Sequence, residues 1–330
     1  RWMLRHEQTI LRVTQWLLIA TLLVPLVYAS NFIFPFITVK VFFFRSVVAL
    51  ALGGYVLLLL ISWERYRPAR DAITLWLFAF MGWLLVSTLF GVDPAHSWWG
   101  DYERMMGMFT LLHYAVFFVL ARNLFRDAAS WRRVWWVLLG VGFLVSLGAL
   151  VQQFNPDFLS GGARAASTLG NPIYLATYAG YLGFVSIYLF GELWKKRTDQ
   201  GFARYAPWAL LVVLVLAALA FVWSETRGAV VGLGAAFLVV CCSIALGAAR
   251  RAHRLLAIGV LAAMVVVVAL VVWGGSLTGR ASAGPGDTRL VQSVPALRRF
   301  ADVSITGSNE TRLRTWGIGL QAWLERPIMG

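Results

Sequence analysis

Charge and cysteine are both scarce in this chain, and each shortage removes a class of protein. Of 330 residues only 13% are Asp, Glu, Lys or Arg, where a water-soluble domain carries roughly 25%. That excludes an ordinary soluble domain, and it excludes a disordered chain, which needs dense charge and low hydrophobicity. The two cysteines, Cys241 and Cys242, are adjacent inside an apolar run, so no disulfide scaffold exists and the pair is expected to face lipid or a neighbouring helix. Histidine occurs four times, and no HExxH, CxxC, GxSxG or phosphate-loop motif is present, so metal ligation and triad chemistry have no support. No metal or cofactor is expected. Acidic residues number 15 against 29 Lys plus Arg, a formal charge of +14. The basic residues form short clusters between apolar stretches, with no continuous basic face, so nucleic acid is excluded as a partner.

What the chain does have is hydrophobic length. Hydrophobic residues make up 60% of it, with 16 Trp, 22 Phe and 10 Tyr. About 20 apolar residues cross roughly 30 Å of hydrocarbon, and nine runs approach that length, near 13–30, 41–62, 72–90, 109–121, 134–151, 172–190, 206–223, 228–248 and 255–273. The expected fold class is therefore all-α, a polytopic transmembrane helical bundle over residues 1–273. The first run is followed at once by further spans and has no small-residue cleavage site, so it reads as a span and not as a signal peptide. Cytoplasmic loops retain Lys and Arg, and alternate loops divide cleanly: one side receives 17 basic and 6 acidic residues, a net +11, and the other 12 basic and 9 acidic, a net +3. The richer side includes Arg65, Arg67, Arg70, Arg122 and Arg126; the short loops opposite hold Lys40, Arg45, Arg104, Arg164 and Arg227. This places the N-terminus in the cytoplasm and residues 274–330 outside.

The external segment begins with Gly274, Gly275, Gly279, Gly284, Pro285 and Gly286 and reads as a long loop. An amphipathic helix near 309–325 follows, with Leu313, Trp316, Leu320, Trp323 and Leu324 at helical spacing, Ser308 as cap, Glu310 in the first turn and Pro327 as stop. It is expected to lie on the membrane surface or against the bundle. The chain starts at Arg1 and ends just after Pro327-Ile328-Met329, which suggests trimming at both ends.

The residues able to carry chemistry are external arginines. Arg227, in Ser224-Glu225-Thr226-Arg227-Gly228, lies in a very short turn between two long apolar runs. A charge at full membrane depth costs on the order of 2.5–3.5 kcal/mol, so it needs a partner. Two readings stand: pairing with Glu225 or lipid phosphate, and an anion clamp at a helix start whose free N–H groups add positive potential. Gly228, Gly232 and Gly234 are expected to allow close helix packing there. Arg164 lies in a small-residue loop, Gly161 to Gly170, ending at Asn171 as N-cap and Pro172 in the first turn; it reads as an anion-binding loop or as a solvated arginine. Arg312 and Arg314 are two apart and project roughly 200° from each other, so one is expected to bind and the other to face solvent or lipid. The segment Trp98 to Met105 is acidic, with Asp101 and Glu103. Its carboxylates suit a general base or sugar hydroxyls, while Glu103 and Arg104 can also simply pair, and Trp98, Trp99 and Tyr102 suit the interfacial aromatic belt. His113 reads as a hydrogen-bonded core histidine.

Four segments in order, Trp99-Gly100-Asp101-Tyr102-Glu103-Arg104-Met105, Thr168-Leu169-Gly170-Asn171-Pro172-Ile173-Tyr174-Leu175-Ala176, Thr226-Arg227-Gly228-Ala229, and Arg314-Thr315-Trp316 with Arg326-Pro327-Ile328-Met329-Gly330, resemble the O-antigen ligase and O-antigen polymerase superfamily. The resemblance implies a multi-pass glycosyltransferase of the bacterial inner membrane. It would transfer an undecaprenyl-diphosphate-linked glycan to a lipid, glycan or protein acceptor on the periplasmic or external face, with inversion and without metal. By motif position it implies diphosphate-holding roles for Arg164, Arg227 and Arg312 or Arg314. The candidate catalytic set is Arg227, Arg164 and Glu225; the candidate binding set is Arg312, Arg314, Asp101, Glu103, Arg104 and Asn171. The family's acceptor-activating histidine has no counterpart in 274–330, which leaves Glu225, Glu103 or Asp101 as poorer stand-ins. Two other classes remain open: a transporter or lipid-binding membrane protein, whose mid-membrane charges or broken spans are weak here, and a lipid II polymerase-like enzyme.

Overall fold

A computed structural model describes residues 2–159, 164–195, 204–247, 250–252, 254–262, 308–325 and 327. Every regular element among them is helical. In chain order these are α1 (Trp2–Ala20), a 3₁₀ segment (Thr21–Leu26), α2 (Thr38–Ile61), α3 (Trp63–Tyr66), α4 (Ala72–Phe90), α5 (Pro94–Trp99), α6 (Met108–Leu124), α7 (Ala128–Phe154), a 3₁₀ turn (Ser167–Leu169), α8 (Pro172–Lys195), α9 (Ala206–Trp223), α10 (Arg227–Gly247) and a final helix, Ser308–Glu325.

Seven helical segments among the described residues are long and apolar enough to cross a membrane: His6–Leu26, Thr38–Ile61, Ala72–Phe90, Ala128–Phe154, Pro172–Trp194, Ala206–Trp223 and Arg227–Gly247. At 1.5 Å per residue, the 24 residues of α2 extend about 36 Å. Of the other two expected spans, the fourth is the shorter helix α6, 17 residues, and the ninth is helical over 254–262, its remainder lying outside the described residues. The apolar surface is turned outward as lipid requires: on α4, Ile73, Trp76, Phe80 and Phe90 are each more than half exposed. In water such a face would aggregate; in hydrocarbon it costs nothing.

The chain divides into two compact units, residues 1–145 with 310–330, and residues 146–309. In the first, α1 packs on α2, and α2 and α4 pack on α6. Leu18, Ile19, Ala51, Tyr55, Leu58, Leu120 and Leu124 form its core. Gly54 marks the closest approach of α2 to α1, because a Cβ there would collide with Thr14 Oγ1; small residues at contacts are how helices pack in lipid, where no hydrophobic force drives them together. Buried Gln15 bridges α1 to the end of α6, its Nε2 donating to Leu124 O at 2.7 Å. In the second unit, α8 packs along α9 and against α10, burying Leu175, Ala176, Ala179, Leu182, Leu210, Val213, Ala217 and Ala220.

The glycines of α10 do not behave as expected. A Cβ on Gly228, Gly232 or Gly234 would meet nothing within 4 Å, so these three serve no close contact among the described residues. Close approach belongs instead to Gly54 and Gly148. Lys40, expected in a short external loop, lies on α2 because that helix starts three residues earlier than its apolar run suggests, and Arg45, counted with the same loop, lies more than a turn further along it.

Candidate functional site

The second unit holds a corner where four helix ends meet, those of α7 and α9 and the starts of α8 and α10. Gln152, in the last turn of α7, is 3% exposed, and its Oε1 accepts from the backbone N–H groups of Ala166 at 2.9 Å and Ser167 at 2.8 Å. Its Nε2 donates to Phe158 O at 3.3 Å. One glutamine thus ties Phe158, just past α7, and Ala166–Ser167, just before α8, to the end of α7. Gly148, one turn earlier, makes room: a Cβ there would sit 2.5 Å from Ser167 Oγ. The loop is tied to the end of α9 by Ala165 N–H donating to Trp223 O at 3.2 Å. Thr226 closes the corner, its hydroxyl reaching Pro172 O at 3.3 Å and Ser224 O at 3.2 Å.

Those bonds bring Arg164, Asn171, Glu225 and Arg227 to one end of the α8–α9 pair. Arg164 is half-buried and adjoins the buried pair Ala165–Ala166. Asn171 is the N-cap of α8 as its sequence position implies, Oδ1 accepting from Ile173 N at 2.8 Å, with Pro172 opening the helix. Arg227 is the first residue of α10 and is half-buried. A cation at the positive end of a 21-residue helix adds to the dipole instead of opposing it, so this position calls for an anion. Two non-glycine residues of the corner occupy the left-handed region, Ser167 at φ +51° and Glu225 at φ +47°. Each costs on the order of 1–3 kcal/mol and persists only where the surroundings over-determine it; here Gln152 and Thr226 do so.

The acidic segment of the first unit is built differently. Gly100, at φ +76°, and Gly107 touch backbone to backbone, so that a Cβ on either would overlap the other strand of the loop. The loop between them is thereby pinched shut. Asp101 Oδ1 accepts from Arg104 N at 2.5 Å, and Asp101 O accepts from Met105 N at 2.8 Å. Asp101, Tyr102, Glu103 and Arg104 are all exposed, and Glu103 and Arg104 stand 4.0 Å apart, at the limit of an ion pair. Behind the loop, Arg45 of α2 donates to Met105 O at 2.9 Å and from Nε to Thr110 Oγ1 at 3.1 Å. Its guanidinium lies 5.0 Å from the Phe109 ring centroid. Trp99 packs on the same Phe109 ring at 5.3 Å. His113 bonds Phe109 O through Nδ1 at 2.7 Å, the core role expected of it.

Arg312 and Arg314 lie on the Ser308–Glu325 helix and are exposed. Arg314 pairs with Glu310 at 2.7 Å, one turn away, which commits that guanidinium and leaves Arg312 on a different face. All the apolar residues of the expected stripe are more than half exposed, Trp316 at 74%. The side chain of Ser308, expected to cap this helix, lies outside the described residues. Sequence reasoning missed Gln152, Ser167 and Arg45. The only available signal for Gln152 was a polar side chain one residue past an apolar run, which is also the pattern of any span edge. Among the described residues no three His, Cys, Asp or Glu side chains come together. Comparison with protein-family models, with curated proteins and with solved structures finds no match.

Proposed function

We propose that the chain is an envelope glycosyltransferase that uses a glycan on a polyprenyl diphosphate, of the O-antigen ligase and polymerase kind, acting at the external face of a bacterial inner membrane. In this reading nine spans cross the membrane with the N-terminus in the cytoplasm, and no metal takes part. The observation that carries it is the corner of the second unit. Two half-buried arginines from separate segments, Arg164 and Arg227, are held at one helix-rich end by buried backbone bonds, and one of them sits where the helix dipole is already positive. A diphosphate leaving group carries its charge at such a depth while its polyprenyl tail stays in lipid. Guanidiniums in a partly dry site stabilise that charge through bidentate contacts.

In this reading the roles divide residue by residue. Arg227 and Arg164 hold the leaving diphosphate, and Glu225, adjacent to both supports, is the carboxylate best placed to accept the proton of an acceptor hydroxyl. Asn171 orients the start of α8. Asp101, Glu103 and Arg104 present hydrogen-bonding groups to sugar hydroxyls, and Arg312, on the face away from the Arg314–Glu310 pair, serves as a further anion contact. In membranes supplied with lipid-linked glycan, Arg227→Ala and Arg164→Ala are expected to abolish transfer while the protein still accumulates. Unchanged turnover in either variant would sink the reading.

A further inference from the structure

A second concentration of positive charge lies in the first unit. In the first unit a cavity of about 310 Å³ opens between α3 with the loop after it and the C-terminal end of α6. Arg65, Arg67, Arg70, Arg122 and Arg126 line it, with Glu64 as the one carboxylate in the lining. Five guanidiniums against one carboxylate leave the wall at a net +4. Counting the nearby partners Glu7 and Asp71, which pair with Arg65 at 2.9 Å and with Arg122, the surplus is still +2.

The cavity is a built feature with a rigid back. Arg126 donates from Nε to Asn123 O and from Nη2 to Arg65 O, both at 2.7 Å, clamping the loop to the helix end. Behind it runs a buried polar chain: Asn123 Nδ2 donates to Tyr55 OH at 3.1 Å, Tyr55 OH to Tyr66 O at 2.5 Å, and Tyr66 OH to Glu7 Oε1 at 2.7 Å. Tyr55, Tyr66 and Asn123 are each less than 5% exposed. Burial and the Glu7 carboxylate push the Tyr66 hydroxyl up to about 12, so it stays a neutral donor and the frame adds no negative charge. Ion pairs occupy Arg65, Arg67 and Arg122 only in part, since Arg65 and Arg67 remain 61% and 46% exposed. Arg70 is exposed, and its guanidinium makes no ion pair or hydrogen bond among the described residues.

We infer that this cavity binds a phosphate-bearing anion. Guanidinium forks match phosphate oxygens bidentately. A volume at the lower end of the roughly 300–1,000 Å³ range of small-molecule sites admits one phosphate headgroup and excludes a large cofactor. The phosphate comes from an anionic phospholipid of the surrounding leaflet or from a soluble phosphate compound. The site is independent of glycan transfer and of the orientation assigned to the spans.

The test uses the full chain in detergent and native mass spectrometry, with phosphatidylglycerol, phosphatidylethanolamine and inorganic pyrophosphate as probes. Wild type is expected to retain phosphatidylglycerol or pyrophosphate, and the double variant Arg67→Gln with Arg70→Gln to lose at least tenfold of that binding. Arg12→Gln, an exposed arginine outside the cavity, is expected to bind as wild type does. Retention of phosphatidylglycerol over phosphatidylethanolamine, unaffected by pyrophosphate, assigns the lipid as source; displacement by pyrophosphate assigns the soluble one. If the double variant fails to accumulate, Arg70→Gln alone, at an exposed side chain, is expected to lose at least threefold. Binding unchanged in the cavity variants, or lost equally in Arg12→Gln, overturns the inference.

Discussion

Two regions carry the charged residues on which the functional reading rests, and they are supported in opposite ways. In the Arg164–Arg227 corner the side chain that does the holding, Gln152, is buried and reaches backbone groups more than ten residues away, while the arginines are half-buried and two non-glycine residues are held in left-handed backbone. In the Asp101–Arg104 loop the charged residues are exposed, the capping bond spans three residues, and left-handed backbone falls at Gly100 and at Met105 just after it. Both regions hold a non-glycine residue in left-handed backbone and both draw on a distant side chain, Gln152 in the corner and Arg45 behind the loop. They differ in burial: the corner is held by a buried glutamine, whereas the loop's charged groups stand in the open on a local cap. In the proposed reading, the half-buried corner therefore suits the reacting groups and the exposed loop suits adjustable contacts to sugar.

The sharpest way to break this contrast is Gln152→Ala. It strands two buried backbone N–H groups, each worth about 1–3 kcal/mol, so a loss of roughly 2–6 kcal/mol in thermal or denaturant unfolding is expected, with transfer falling alongside. A variant that keeps both stability and turnover would show that the corner is not held from within. Glu225→Gly probes the strain itself. Glycine accepts φ +47° freely, so the variant is expected to gain about 0.5–1 kcal/mol by unfolding measurements while losing turnover if the carboxylate accepts the acceptor's proton. Stability gained with full activity removes Glu225 from the catalytic set. The smallest effect is expected at Asp101→Asn, where an exposed substitution that keeps the capping oxygen changes stability by less than about 0.5 kcal/mol. Transfer should stay within about tenfold of wild type. General-base catalysis is worth about 10²–10⁴, so a hundredfold loss there would move the proton transfer from the corner to the loop.

The spans were legible because hydropathy is additive along the chain. The runs read at 72–90 and 206–223 coincide with α4 and α9, and Asn171 followed by Pro172 announced the start of α8. Local patterns of that kind carry their own physical cause, an uninterrupted apolar length or a cap within three residues. The glycines did not yield to the same logic. Gly228, Gly232 and Gly234 have the spacing of a packing face and meet no neighbour, whereas Gly54 and Gly148, which lack that spacing, sit at close contacts. Which glycine touches another helix depends on that helix's arrival, and nothing in the local sequence encodes it.

The sequence by itself determined that this is a helical, multi-pass membrane chain and that Arg227 stands at a helix start, because the cost of placing charge in hydrocarbon permits few alternatives. Only the tertiary structure decided that Gln152 holds the Arg164 loop, that Arg45 anchors the acidic one, and that five arginines from separated segments share one cavity. Each of these joins a side chain to a group on another segment, and hydrogen bonds and shared cavities are set by distance in space, which helix packing alone establishes.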